Sequence, residues 1–419
     1  MRPRPTQVFE SKPPVAIVLS AGGALGAYGV GVLKALTEGR SPALGHQPLE
    51  ASILCGTSVG AFNAAFMAAQ GDVPLNVAVE RLEEIWLRKI AGHGSRNGVY
   101  RVRAFPPALG DQWFTNPLRS SWTMFQDGAV LSAASLQGFW RVASTGGPLV
   151  GRLLNFFNFA DGIDSAPLAR LIRENIDLAA LVDSPRMTLF AVVNANDGIV
   201  RFVSGKQFKS LQAMVAVIQG SASFPGLFPA ARLGQRRFVD GSAAVSTPAV
   251  PAVEAGAKTL HIIAPFYPFR RYSGSSVNQL YSVFLTALVT RMYMSARDLN
   301  FLRELDAVLE KSEGYLSAAH TAQLQKLISK HLNLIGNDLK VAIHIPPKPL
   351  DNGIQAVFDF RLSSIRKLIR QGYRDACLQA NVNASLLFPN LFQGPASLAQ
   401  GASAQWAVQD LKENLKDAS

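Results

Sequence analysis

Ser52-Ile-Leu-Cys-Gly-Thr-Ser-Val-Gly-Ala-Phe-Asn-Ala-Ala-Phe66 passes without interruption from an apolar run, through a glycine-flanked serine, into an alanine-rich stretch. Ser52–Cys55 reads as a buried strand and Ala61–Ala69 as a helix. Between them, Gly56-Thr57-Ser58-Val59-Gly60 matches the G-x-S-x-G nucleophile elbow in the strand-to-helix context that the motif requires. A serine on so sharp a turn has strained backbone angles, and the residues two before and two after it approach so closely that side chains there would clash. Glycine at 56 and 60 avoids that clash. The helix that follows points its positive dipole end at Ser58 and favours negative charge there.

The same unit occurs earlier in the chain. Val15–Leu19 is an apolar run of strand length, Ser20-Ala-Gly-Gly-Ala-Leu-Gly26 a glycine turn, and Ala24–Leu36 a helix ending near Gly39. Val15–Leu33 is nineteen residues without a charge, but its five glycines (Gly22, Gly23, Gly26, Gly29, Gly31) follow a β-type run and no cleavage-like site precedes Lys34. Neither a transmembrane helix nor a signal peptide is predicted. The turn presents convergent backbone N–H groups to an anion. A nucleotide phosphate is disfavoured, because Gly-x-Gly-x-x-Gly spacing, a Gly-Lys-Ser/Thr sequence and an acidic ribose partner are missing. The oxyanion of an acyl-transfer intermediate needs only backbone donors, and Gly22, Gly23 and Ala24 are the candidates. A plain helix start is the alternative.

Further apolar strands fall at Met187–Val193, Arg201–Val203, Arg237–Val239 and Thr259–Ile263, with helical stretches at Pro167–Asn175 and Leu211–Gln219. This alternation predicts an α/β fold, a mostly parallel central sheet flanked by helices in three layers. Residues 1–14, with four prolines and three cations, read as a flexible leader. The α/β unit occupies 15–270, interrupted at about 92–161 by a Gly-, Pro-, Phe- and Trp-rich insertion holding Trp113, Trp122 and Trp140. Such an insertion suits either a lid or lipid contact, or a small core of its own. Residues 271–380 form a helical C-terminal region with periodic stretches at 277–309, 316–334 and 363–380 and one β-like run at 340–345; 381–419 is a tail. Arg361, Arg366, Lys367, Arg370 and Arg374 are spaced to make a basic helical face, which is either a solvated surface or a membrane contact.

The 41 Lys and Arg outnumber the 29 Asp and Glu, a net charge of +12 that favours phosphate-bearing partners. Nucleic acid is not expected, since no Lys/Arg block is interleaved with aromatics. Cys55 and Cys377, far apart in sequence, support neither a disulfide framework nor a cysteine metal site. The reading is a cytoplasmic protein with peripheral contact at a membrane surface, and no protein partner is specified.

A serine nucleophile requires a base. None of the six histidines (His46, His93, His261, His320, His331, His344) lies in a turn-rich motif, and His261 reads as a strand residue. Asp240, in Phe238-Val-Asp-Gly-Ser242, follows an apolar strand and precedes Gly241, which places its carboxylate at the carboxyl end of the sheet, where open α/β sheets build their sites. Taken alone, it reads equally as a turn former.

Four motifs in order resemble the patatin-like phospholipases, lipid acyl hydrolases that use a Ser–Asp dyad. They are Val18-Leu-Ser-Ala-Gly-Gly-Ala-Leu-Gly-Ala-Tyr28, Gly56 to Gly60, Ser221-Ala-Ser-Phe-Pro-Gly-Leu-Phe-Pro229, and Asp240-Gly241. The resemblance spans residues 15 to about 250. It implies a catalytic pair of Ser58 and Asp240, an oxyanion hole at Gly22, Gly23 and Ala24, supporting motif glycines Gly26, Gly56, Gly60 and Gly241, a lipid ester substrate cleaved through an acyl-enzyme, and neither metal nor organic cofactor. Three positions depart from the family pattern: Ala21 replaces a glycine, Leu25 replaces the common Arg or Lys, and Ser242 replaces Gly or Ala. A Ser–His–Asp esterase using His261 and a non-catalytic lipid-surface protein on the same scaffold are the alternatives.

Overall fold

The computed structural model describes residues 13–92, 97–103, 162–267, 317, 339–350 and 354–378. The expected insertion beyond residue 103, the helical stretches at 277–309 and 316–334, and the leader and tail lie outside them, apart from residues 13, 14 and 317. In chain order the elements are β1 (Val15–Leu19), α1 (Gly26–Thr37), β2 (Ile53–Thr57), α2 (Val59–Ala69), α3 (Leu75–Ile85), β3 (Arg101–Val102), β4 (Ile163–Asp164), α4 (Ala166–Asn175), α5 (Leu178–Val182), β5 (Met187–Asn194), β6 (Ile199–Ser204), α6 (Leu211–Ser221), β7 (Ala231–Leu233), β8 (Arg236–Asp240), α7 (Ala249–Glu254), β9 (Thr259–Ile263), β10 (Lys340–His344) and α8 (Leu362–Leu378).

The two strand-turn-helix units become neighbours. β1 pairs in parallel with β2, with Ala16 opposite Ile53 and Leu19 opposite Gly56, so both glycine turns emerge from the same end of the sheet. β10, β9, β1, β2 and β5 run parallel in that order. Helices flank this mostly parallel sheet, and its strands are continuous apolar runs because both faces are covered. Ile17, Leu54 and Phe190 at its centre are fully buried.

Two expected strands break the parallel rule. β6 returns antiparallel to β5 because only four residues, Ala195–Gly198, join them, too few for a crossover. β8 is also antiparallel to β5. Leu189 of β5 pairs with both Cys55 and Ser204, and Val192 with both Arg201 and Asp240. A strand has two edges, so β2 and β8 share the edge that β6 does not occupy. They meet end to end there: β2 pairs with β5 as far as Ala191, and β8 begins at Val192.

Two elements beyond residue 270 belong to this architecture. β10 extends the sheet beside β9, with Ile343 opposite Ile262. α8 crosses α1 at backbone contact: a Cβ on Gly31 would strike the Ile369 carbonyl, and one on Gly372 the Tyr28 carbonyl. The Tyr28 hydroxyl lies beside Asp375, and the Tyr373 hydroxyl donates to Glu38 Oε2 at 2.8 Å. α8 therefore buries Ile365, Leu368 and Ile369 and leaves Arg366, Lys367, Arg370 and Arg374 exposed.

Gly372→Ala is expected to destabilise the protein by about 1–3 kcal/mol, since the added methyl meets backbone that cannot rotate aside. Arg370→Ala, on the exposed side of the same helix, should change stability by no more than about 0.5 kcal/mol. Denaturant unfolding of the two variants checks the contrast.

Candidate active site

The β2–β8 junction sets the geometry. Thr57 is the last residue of β2 paired to β5, and Ser58 follows it at the level of Val192, where Asp240 ends β8. The carboxyl ends of two opposed strands thus deliver a serine and an aspartate to one point. Asp240 does lie at the carboxyl end of the parallel strands, but it arrives on an antiparallel strand that covers only the last three residues of β5, from Val192 to Asn194.

Ser58 has φ 58° and ψ −127°, the left-handed side of conformational space that L-residues avoid. Three contacts hold it there. A Cβ on Gly56 would strike the Gly60 carbonyl, and one on Gly60 the Leu19 carbonyl, so the elbow is pressed against itself and against β1. The Ser58 amide donates to Ser221 Oγ at 2.9 Å, and that hydroxyl donates to the Ala191 carbonyl at 2.6 Å. Ser221, at the end of α6, therefore bridges the break in the ladder between β2 and β8.

Asp240 Oδ1 accepts from the Ser242 amide at 2.7 Å. The hydroxyls of Ser58 and Ser242 lie close enough to the same carboxylate to favour its ionised form, yet burial outweighs these interactions and pushes the carboxyl from 3.8 up to about 6. A carboxylate so raised is a stronger base than one in water and still ionised at neutral pH.

The glycine turn lies alongside. Gly22 and Gly23 line a cavity of about 250 Å³ together with Ser58 and Asp240, while Ala24 is fully buried and does not line it. The amides of Gly22, Gly23 and Ala24 have no backbone acceptor among the described residues. Ala21 is not in the left-handed region, and its amide donates to the Ser246 carbonyl at 3.0 Å, so its methyl leaves the turn unstrained. Gly26 packs against Val59 closely enough that a Cβ would lie 2.6 Å from Val59 Cγ1, which ties the turn to the elbow. A Cβ on Gly241 would strike the Ala191 carbonyl. The rest of the cavity is apolar, with Phe62, Trp86, Leu168, Leu171 and Phe228 among its walls.

His261 is not at this site. It lies on β9, buried against His344 with its Nδ1 3.2 Å from His344 Nε2, and burial lowers its imidazole to about 4. It does not line the cavity. Among the described residues no group of three or more His, Cys, Asp or Glu is placed to hold a metal ion.

A family model described as patatin-like phospholipase matches residues 17–253, more than half of the 419. The chain belongs to the patatin-like phospholipase family. Members of this family are in general lipid acyl hydrolases acting on lipid substrates. Among solved structures, the patatin-like chain resembles VipD from Legionella pneumophila at 15% identity and a TM-score of 0.33; the match covers 87% of this chain and 66% of VipD, just under two thirds of that protein. No curated protein matches the chain.

Within this patatin-like site, two residues gain significance that their motifs did not announce. Ser242, a departure from the family pattern, donates its amide to Asp240 and brings its hydroxyl near the same carboxylate. Ser221, quoted only as part of a motif, holds the amide of Ser58. Helix-end serines are common and neither role has a sequence period, so only the topology of β5 reveals them.

The raised pKa makes Asp240 a stability liability. Its folded value lies above its unfolded one, so the carboxyl is neutral at no cost below about 4, and the penalty grows as pH rises through about 6. A shift from 3.8 to about 6 corresponds to about 3 kcal/mol at full ionisation. Asp240→Asn is therefore expected to be more stable than the parent at about pH 8 by up to that amount, with the difference vanishing toward about pH 4, as read by urea titrations at both values.

Proposed function

We propose that the protein is a serine carboxylic-ester hydrolase that cleaves fatty-acyl esters of lipids through Ser58 and Asp240. The observation that carries this reading is the juxtaposition of the Ser58 hydroxyl with a buried carboxylate of raised basicity, both lining one apolar cavity. Ser58 Oγ attacks the ester carbonyl carbon as its proton passes to Asp240. The electron pair of the carbonyl moves onto its oxygen, which is stabilised by the amides of the Gly22-Gly23-Ala24 turn and by the positive end of α2. Collapse expels the alcohol, which takes the proton from Asp240, and leaves the acyl group on Ser58. Water then attacks, again losing its proton to Asp240, and the carboxylic acid departs as Ser58 recovers its proton.

Ser58→Ala is expected to abolish both hydrolysis of a medium-chain p-nitrophenyl ester and labelling by a fluorescent fluorophosphonate, while the protein stays folded. Asp240→Asn should lower kcat by at least about a hundredfold, the ordinary contribution of a general base. The rate of the parent should fall as pH drops below about 6, where Asp240 takes up its proton. Undiminished turnover in the Ser58→Ala protein would sink the assignment.

We propose further that the enzyme acts at anionic bilayer surfaces as a peripheral protein. Among the described residues no helix is long and apolar enough to cross a membrane. Ser363, Arg366, Lys367, Arg370 and Arg374 surround a shallow surface basin on the outer side of α8, and each of these four cations attracts lipid phosphate. Arg366→Glu with Arg370→Glu should reduce co-sedimentation with phosphatidylserine vesicles several-fold and leave binding to phosphatidylcholine vesicles unchanged. Equal retention on the anionic vesicles would count against this surface.

A further inference from the structure

The family match stops at residue 253, but the cavity does not. Val357, Phe358 and Phe360, which precede α8, line it together with Ser58 and Asp240. These residues are held by bonds to the body of the protein. The Tyr100 hydroxyl donates to the Phe358 carbonyl at 2.9 Å, and the Gly92 amide donates to the Phe360 carbonyl at 2.9 Å.

Their rings are locked as well. Phe360 stacks on the buried Trp86 with ring centroids 6.4 Å apart, and Tyr100 meets Phe358 and Phe360 edge-on at 6.5 and 5.8 Å. Trp86 is itself fixed by donation from Nε1 to Asn63 Oδ1 at 2.9 Å. It opens a π-helical turn, Trp86–Ile90, whose first and last residues both line the cavity. Such turns recur at functional sites because they re-aim side chains without ending the helix. On the other side, Val357 presses on Gly23 so closely that a Cβ there would lie 2.7 Å from Val357 Cγ1.

We infer that the segment around Val357–Phe360 is the fixed wall of the acyl-binding site, and that Phe358 and Phe360 set the length of acyl chain the enzyme accepts. This rests on the reading of Ser58 as the acyl-transfer nucleophile. Ring stacking and two backbone hydrogen bonds prevent the wall from yielding, so a chain that outgrows the cavity meets overpacking rather than a new contact. A smaller side chain opens a void that additional methylenes fill. Apolar pockets discriminate by about tenfold or more per methylene.

The test measures kcat/KM for p-nitrophenyl esters from acetyl to palmitoyl with the full chain, Phe358→Ala and Phe360→Ala. Each substitution should move the optimum to longer acyl groups and raise the long-to-short ratio by at least about tenfold. Lys206→Ala, at an exposed position just after β6, should leave the profile unchanged. Phe358→Leu serves where an alanine variant fails to fold. A second readout needs no turnover: in the Ser58→Ala background, fatty acids of increasing length displace a dansylated fatty acid, and the same substitutions should shift the preferred length in the same direction. Folded variants with the parent's profile in both assays would overturn the wall. Hydrolysis that persists in Ser58→Ala would overturn the nucleophile instead, and the displacement assay would still decide whether the aromatic segment contacts the acyl chain.

Discussion

Ser58 occupies a backbone conformation that an isolated serine would leave, and the arrangement of β5 keeps it there. β5 shares one edge between two strands that approach head to head, and Ala191 stands at the break between them. Ser221 Oγ donates to the Ala191 carbonyl and in return accepts the amide of Ser58. A buried backbone group without a partner costs on the order of 1–3 kcal/mol, so the hydroxyl that accepts the Ser58 amide offsets such a cost while fixing the elbow. The glycines at 56, 60 and 241 follow from the same constraint. They stand where chain segments meet at backbone distance, and a methyl at any of them would force the junction apart.

What converts this junction into a chemical site is exclusion of water. Asp240 accepts the Ser242 amide and has two hydroxyls nearby and is still a stronger base than a solvated carboxylate, because desolvation exceeds what these interactions return. The apolar cavity beside it produces that desolvation and also suits a hydrocarbon chain. The basicity of Asp240 and the cavity's fit for an apolar ligand therefore share one physical origin.

Much of this was legible in the sequence, and the reasons are local. Val15–Leu19 and Ser52–Cys55 announce themselves because a strand buried on both faces is an unbroken apolar run, and Gly56 to Gly60 because only glycine tolerates the approach at both ends of the elbow. Ser58 and Asp240 were readable from the turns that hold them. The direction of β6 and β8 was less apparent, since a short strand carries no mark of parallel or antiparallel pairing; for β6 the four-residue connection to β5 was the available clue. The methyl of Ala24 is buried, as apolar periodicity continues into α1, while its amide remains part of the turn. Phe358 and Phe360 were beyond reach: their role depends on contacts with Trp86 and Tyr100, more than 250 residues earlier in the chain.

The close crossing of α1 and α8 has a consequence for what counts as a folding unit. A chain ending at residue 253 would retain every motif by which the family is recognised, yet β1 would lose β9, and the backbone of α1 around Gly31 would lose the helix that covers it. β1 would then be an exposed apolar edge strand, a template for pairing with other molecules. Recognisability and autonomy thus part company in this protein. The segment that carries the signature holds Ser58 and Asp240, but the cover on its edge strand and on α1 comes from residues the signature does not include.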